Sequence, residues 1–202
     1  ILSEEQKNRL SSISDEFTKR QLFIHDGGNN SIAALRAYCQ KQAYDSGIQV
    51  IIIDYLQLMT SHKHRNNREL EVSYISRELK NMAKENNICI IASSQLSRAV
   101  ESRYSTEGKR PQLSDLRESG AIEQDADKVL FIYRPEYYGI TEDPEGRNLM
   151  NQVEIIMAKN RNGRLGSFWL ERDKDFTTFR NIKKEFDFSS GRLLELDKEM
   201  PF

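Results

Sequence analysis

The chain has 202 residues, 38% of them hydrophobic and 30% charged, with 30 basic and 31 acidic side chains and a net charge of −1. That length suits one α/β domain or a large part of one, and the charge balance excludes any bulk signature of nucleic-acid or membrane binding. No apolar run approaches the ~18 residues of a membrane span, no signal peptide opens the chain, and the two cysteines, Cys39 and Cys89, fit reduced core thiols in a cytoplasmic protein better than a disulfide framework. The first residue is Ile1 rather than Met, which suggests a piece of something longer.

In chain order, residues 3–19 form an amphipathic helix, followed by a short strand over "QLFIHD". "NNS" at Asn29 to Ser31 matches a glycosylation acceptor but reads here as a helix start, with Ser31 capping "IAALRAYCQKQAYD" and Gly47 ending it. "VIIIDYLQLMT", Val50 to Thr60, is a strand running into one acid, Asp54. "SHKHRNN" is a polar loop; its histidines have no acids or cysteines beside them to make a metal site. In "RELEVSYISRELKNMAKENN" the residues Val72, Ile75, Leu79 and Met82 recur every three or four positions, an apolar helical stripe. "ICIIASSQL" is a second apolar strand. Residues 98–116 are charged and loop-like, and "SGAIEQDAD" is a short helix or turn. "KVLFIYR" and "QVEIIMAKN" are further strands, and "SFWLERDKDFTTFRNI" is an antiparallel hairpin. Near-continuous Ile and Val runs alternating with helices imply a mostly parallel sheet covered on both faces, with the hairpin extending one edge. The final residues read as a loosely held tail.

Ligands of open α/β sheets bind beyond the carboxyl ends of the strands, so the residues that follow each strand carry the functional signal. His25 and Asp26 follow the first. Asp54 suits a magnesium ligand beside a nucleotide; the alternative is an acid that caps the next turn. Gln95 suits contact with a γ-phosphate or an attacking water; the alternative is ordinary capping. Arg134 ends a later strand. Lys159 and Arg161, in "AKNRNG", lie on one side of a turn closed by Gly163, either as an arginine finger with a helper lysine or as two solvated charges. In "RPQLSDLRESGAIEQDAD", Arg110, Arg117, Glu118 and Gly120 lie where a loop enters a helix, a place suited to phosphate. By charge alone this segment is a solvated loop, because Asp115, Glu118, Glu123, Asp125 and Asp127 outweigh its cations.

Together "IIIDYLQLM", "ISRELKNMAKE", "SQLSRAVESR", "RPQLSDLRESGAIEQDADKVLFIYR" and "IIMAKNRNG" strongly resemble the C-terminal motor domain of the bacterial replicative DNA helicase (DnaB) family. The likeness covers roughly residues 1–180, and "SDLRESGAIEQDAD" is its most specific part. The resemblance implies a RecA-like fold, a homohexamer, and ATP-driven 5′-to-3′ translocation on single-stranded DNA with duplex unwinding. It implies ATP and Mg²⁺ as cofactors, and primase and a helicase loader as partners. It further implies that Asp54 coordinates the metal and that Gln95 links the γ-phosphate to the DNA loop. Arg117, Glu118 and Gly120 would hold the DNA backbone, and Lys159 and Arg161 would face a neighbour's nucleotide. The "YSTEGK" loop is longer than is common in the family.

Nothing of the form GxxxxGK[ST] occurs in the chain. The resemblance puts that phosphate loop, and the glutamate that activates water, upstream of Ile1. Residues 1–190 are then expected to be a truncated P-loop NTPase core and 191–202 a tail. A related RecA-type ATPase, such as a recombinase or phage primase–helicase, is a competing reading, as is a non-catalytic binding or assembly module.

Overall fold

The computed structural model describes residues 2–19, 21–103, 107–175, 177–182, 186–187 and 192–193. The side chains of residues 15–18, 107, 117–119, 186–187 and 192–193 lie outside that description, as do Tyr104, Ser105 and Thr106 of the "YSTEGK" loop and most of the expected tail. The chain forms two compact units, Ile1–Ser94 and Gln95–Phe202.

In the first unit, helix α1 spans Glu4–Thr18. Its start is a reciprocal cap: the Ser3 N–H donates to Gln6 Oε1 at 2.9 Å, and the Gln6 N–H donates to Ser3 Oγ at 3.2 Å. Residues 21–26 are not a strand. Their apolar side chains Leu22, Phe23 and Ile24 are exposed, because local β-propensity makes no strand without a hydrogen-bonded neighbour. Helix α2 covers Ile32–Ser46. Ser31 Oγ accepts from the Ala34 N–H at 3.2 Å, and Gly47 leaves the helix at φ 63° with its N–H on the Ala43 carbonyl. That left-handed cap is cheapest for glycine.

Strand β1 (Val50–Ile53) and strand β2 (Cys89–Ala92) pair in parallel, Val50 beside Cys89 and Ile53 beside Ala92. Helix α3 (Arg68–Asn86) makes the crossover that a parallel pair requires. Its stripe is the core of the unit: Val72, Ile75, Leu79 and Met82 are all buried, Met82 completely. Arg36 on α2 ties the helices together through Glu78, at 2.8 Å, and Glu85. The expected burial of β1 on both faces does not hold in this unit: Val50, Ile52 and Ile91 are exposed. The helices stack on one side, α3 against β2 and α2 against α3. Cys89 shares the open face and is exposed, against expectation. Cys39 is buried, and loss of water pushes its thiol up to about 11.

The second unit holds helix α4 (Gly120–Asp125) and strands β3 (Lys128–Tyr133), β4 (Gln152–Asn160), β5 (Gly166–Arg172) and β6 (Phe179–Asn181). These strands form one antiparallel sheet in the order β3-β4-β5-β6. A further short antiparallel pair joins β7 (Phe186–Asp187) and β8 (Arg192–Leu193). The expected hairpin is β5–β6, but antiparallel pairing begins earlier, at β3. Between β3 and β4 the described chain makes a 3₁₀ turn at Pro135–Tyr138 and an isolated Glu142–Asn148 bridge but no crossover helix, so β4 returns antiparallel. Val129, Phe131 and Tyr133 alternate inward and pack with Leu116 and Ile156.

Candidate functional site

The first unit supplies an acid at the carboxyl end of a parallel pair. Asp54 follows β1 and is exposed; its Oδ1 accepts from the Ser93 hydroxyl at 2.7 Å. Ser93 continues the ladder beyond β2, its N–H on the Ile53 carbonyl at 3.0 Å and its own carbonyl taking the Leu56 N–H at 3.0 Å. Next to it, Gln57 Nε2 donates to Ser94 Oγ at 3.0 Å. The rim is therefore a carboxylate, two hydroxyls and an amide on the ends of adjacent strands.

Arg68 and Glu71, which sequence reasoning missed, hold the chain that leaves this rim. Arg68 donates to the carbonyls of Gln57 at 2.9 Å and Met59 at 3.1 Å, and to Glu71 Oε2 at 2.6 Å. Glu71 is buried and its Oε1 accepts from the Ser61 N–H at 2.7 Å. Burial pushes the Glu71 carboxyl upward; the Ser61 N–H and the Arg68 guanidinium more than offset it, and the pKa lies below the ordinary value. The signal available in the sequence was an Arg and a Glu three apart in the first turn of a helix.

Among the described residues, no group of three or more His, Cys, Asp or Glu side chains is arranged to hold a metal. The donors at Asp54 still fit magnesium, which keeps several waters and takes one or two carboxylates plus substrate phosphates. They do not provide a phosphate cradle.

The second unit contains the remaining candidates. Gln95 is exposed and lines an open depression with Leu96, Ser97, Arg98 and Tyr138. The backbone of Arg117 and Glu118 lies in a 3₁₀ segment, Leu113–Ser119; their side chains lie outside the described part. One ion pair pins this segment and a second holds the chain just before it. Arg103 binds Asp115, which is 3% exposed and also accepts from the Gln112 N–H at 2.7 Å. Arg110 grips the buried Glu154 on β4 with two hydrogen bonds, at 2.9 and 2.6 Å. Arg110, expected to add charge for a ligand, is thus committed to a carboxylate inside the unit.

Gly120 opens α4 at φ −52° and ψ −26°, and a Cβ added there would meet nothing within 4 Å. Neither backbone conformation nor packing within the chain demands glycine at this position. Gly163 differs: an added Cβ would sit 2.4 Å from the Asn160 amide, which bridges the turn to the Arg164 carbonyl at 3.2 Å.

Lys159 and Arg161 meet on one side, as alternation predicts, at the carboxyl end of α4. Lys159 Nζ donates to the carbonyls of Glu123 and Gln124, the latter at 3.2 Å. Arg161 pairs with Asp127 Oδ1 at 3.0 Å and donates to the Gln124 carbonyl at 3.3 Å. Helix carbonyls without intrahelical partners carry partial negative charge, which answers the repulsion between the two cations.

A parallel strand pair with an acid on its rim, a crossover helix and a following antiparallel sheet make the chain α/β and fit the RecA-like class. A family model described as the DnaB-like helicase C terminal domain matches residues 1–181, and the chain belongs to that family. It is 43% identical over 187 residues to the replicative DNA helicase DnaC of Bacillus subtilis (strain 168), covering 92% of this chain and 39% of that protein. It is 45% identical over 203 residues to the replicative DNA helicase DnaB of Rickettsia felis, covering 95% of this chain and 40% of that protein. Among solved structures, a DnaB-like replicative helicase studied with its interactions with primase superposes with a TM-score of 0.76 at 38% identity, over 90% of this chain and 43% of that one. A second solved structure, described as an ATPase domain, gives 0.77 at 38% identity, over 90% of this chain and 62% of that one. The chain therefore spans well under half of the curated relatives cited. No described helix is long and apolar enough to cross a membrane.

Proposed function

We propose that this chain is part of the motor domain of a cytoplasmic, hexameric replicative helicase that couples ATP hydrolysis to 5′-to-3′ movement on single-stranded DNA and so unwinds duplex. The observation that carries the reading is Asp54, an exposed carboxylate held by Ser93 at the carboxyl end of a parallel pair, in a chain of the DnaB-like family. In this reading Asp54 holds a magnesium ion through water, which would neutralise charge on the nucleotide's phosphates. Gln95 carries the state of the γ-phosphate toward the DNA segment. Arg117, Glu118 and Gly120 hold the DNA backbone. Open space at Gly120 supports this, since glycine suits a close approach from outside the chain. Lys159 and Arg161 serve the nucleotide of a neighbouring subunit. Primase and a helicase loader are the protein partners. Residues 1–190 form the motor portion, and the phosphate cradle comes from sequence joined upstream. The isolated 202-residue chain is then a module without turnover of its own.

The test uses the full-length protein in two forms, Asp54→Ala and Arg161→Ala. Each alone is expected to be nearly inactive, because an arginine finger supplies on the order of 10³ to 10⁵ in rate. Mixed under subunit exchange, about one interface in four joins an intact Asp54 to an intact Arg161 in the neighbour, and ATP hydrolysis should return. Mixed rings that form yet hydrolyse no faster than the single mutants would rule out the trans role.

A further inference from the structure

The cation pair is already occupied within its own subunit, and the occupant is the helix that follows the proposed DNA segment. Lys159 and Arg161 converge on the Glu123 and Gln124 carbonyls and on Asp127. The backbone joins there as well, with the Arg161 N–H on the Asp127 carbonyl at 2.9 Å. Helix α4 has no buried residue, whereas Leu116 in the preceding 3₁₀ segment is anchored in the core. The carboxyl end of α4 is held by these side-chain contacts from β4 and the turn after it, together with Ala126 packed against the core. Its amino end is Gly120 itself, and at 1.5 Å of rise per residue the helix is only about 9 Å long.

We propose that Asp127, together with the carbonyl end of α4, is a positioning residue that holds Lys159 and Arg161 in reserve and gives them up to a neighbouring subunit's nucleotide phosphate, loosening α4 behind the DNA segment as it does so. The inference rests on the reading that this pair serves a phosphate in trans. The grip has the right strength for exchange. Arg161 and Asp127 are each about half exposed, at 50% and 54%, and an exposed ion pair contributes little and is screened by salt. A phosphate offers the guanidinium more charge and a two-pronged contact, whereas here one nitrogen meets Asp127 and another the Gln124 carbonyl. The Arg161 N–H to Asp127 carbonyl bond does not depend on the side chains, so the ladder stays closed while they move. Coupling of this kind is reciprocal: nucleotide that draws Arg161 away changes the DNA segment, and DNA that shifts α4 changes how readily Arg161 leaves.

The experiment uses full-length rings and two binding readouts: the Kd of a fluorescent, non-hydrolysable ATP analogue, and the ratio of that Kd with and without single-stranded DNA. Asp127→Asn removes the competing carboxylate. It should tighten analogue binding about two- to fivefold, the worth of an exposed pair, and bring the DNA-dependent ratio toward one by a similar factor. A merely structural residue would not tighten binding. If Asp127→Asn does not assemble, Asp127→Ser carries the same test, and failure of both to form rings overturns the proposal, because the residue is then needed for assembly. Unchanged Kd and ratio also overturn it. Arg161→Ala separates the two levels: if it hydrolyses ATP at the wild-type rate, the trans reading falls and takes this proposal with it. If it is inactive while Asp127→Asn is silent, only the exchange falls.

Discussion

Gly120→Ala should make the protein more stable and its DNA binding weaker, two effects that ordinary damage to a fold does not combine. At φ −52° and ψ −26° alanine is fully at home, and its Cβ meets nothing within 4 Å. Replacing glycine at such a compatible position stabilises by about 0.4–1 kcal/mol, through lost freedom of the unfolded chain, which for this length raises Tm by about 1–4 °C. If Gly120 instead exists to let a DNA phosphate approach the backbone, the new methyl stands in that approach. The loss of a hydrogen bond to a charged group costs about 1.5–3 kcal/mol, which weakens single-stranded DNA binding by about tenfold or more. No charge changes, so the dependence of log K on log salt should keep its slope. Arg117→Ala is the contrast: it should weaken binding equally for all sequences and flatten the slope by about 0.7. The assays are thermal unfolding of the 202-residue chain, and fluorescence anisotropy of the full-length ring on two unrelated oligonucleotides at several salt concentrations. A stabilised Gly120→Ala with wild-type DNA affinity would refute the role of the glycine. A destabilised one would refute the local geometry.

The isolated chain should hydrolyse no ATP above background, because its 202 residues contain no GxxxxGK[ST] loop to supply the N–H groups and lysine that grip phosphates; turnover abolished by Asp54→Ala would contradict this. Met82→Ala should cost about 2–5 kcal/mol, because its side chain, on the crossover helix α3, is completely buried, and a loss below about 1 kcal/mol in urea unfolding would show that the site collapses around the smaller residue. Glu71 and Glu136 both have carboxyl pKa values held below the ordinary range. For Glu71 burial is the largest influence but is outweighed by Ser61 and Arg68; for Glu136 the leading cause is the Asn151 N–H, assisted by Arg172. A depressed folded pKa contributes stability in full above the unfolded value near 4.3 and loses it as pH falls through the folded value. Stability should therefore be flat from about pH 6 to 5 and fall below, with Glu71→Gln showing a shallower fall; identical acid slopes for variant and parent would sink the assignment.

What the sequence determined by itself was local or carried by motif. Ser31 and Gly47 bound α2 because a hydroxyl acceptor and a left-handed φ are properties of single residues and their near neighbours. The stripe from Val72 to Met82 identified the buried face of α3 because helical period follows from bond geometry. Strand, helix, strand forced β1 and β2 to be parallel, and the order of motifs identified the family and put Asp54 on the rim. Tertiary structure decided the partners. A run of Ile and Val states a preference for extended backbone but not for a neighbour, so residues 21–26 formed no strand and β3 met β4 in the antiparallel sense. It equally states no preference for which face is covered, and Ile52 came out exposed. Charges were the least legible. Arg110 on Glu154, Arg68 across Gln57 and Met59, and Arg161 on Asp127 join residues 9 to 44 positions apart. A flexible cation can reach any of several acids in the sequence, and only the folded backbone brings one of them within hydrogen-bonding distance.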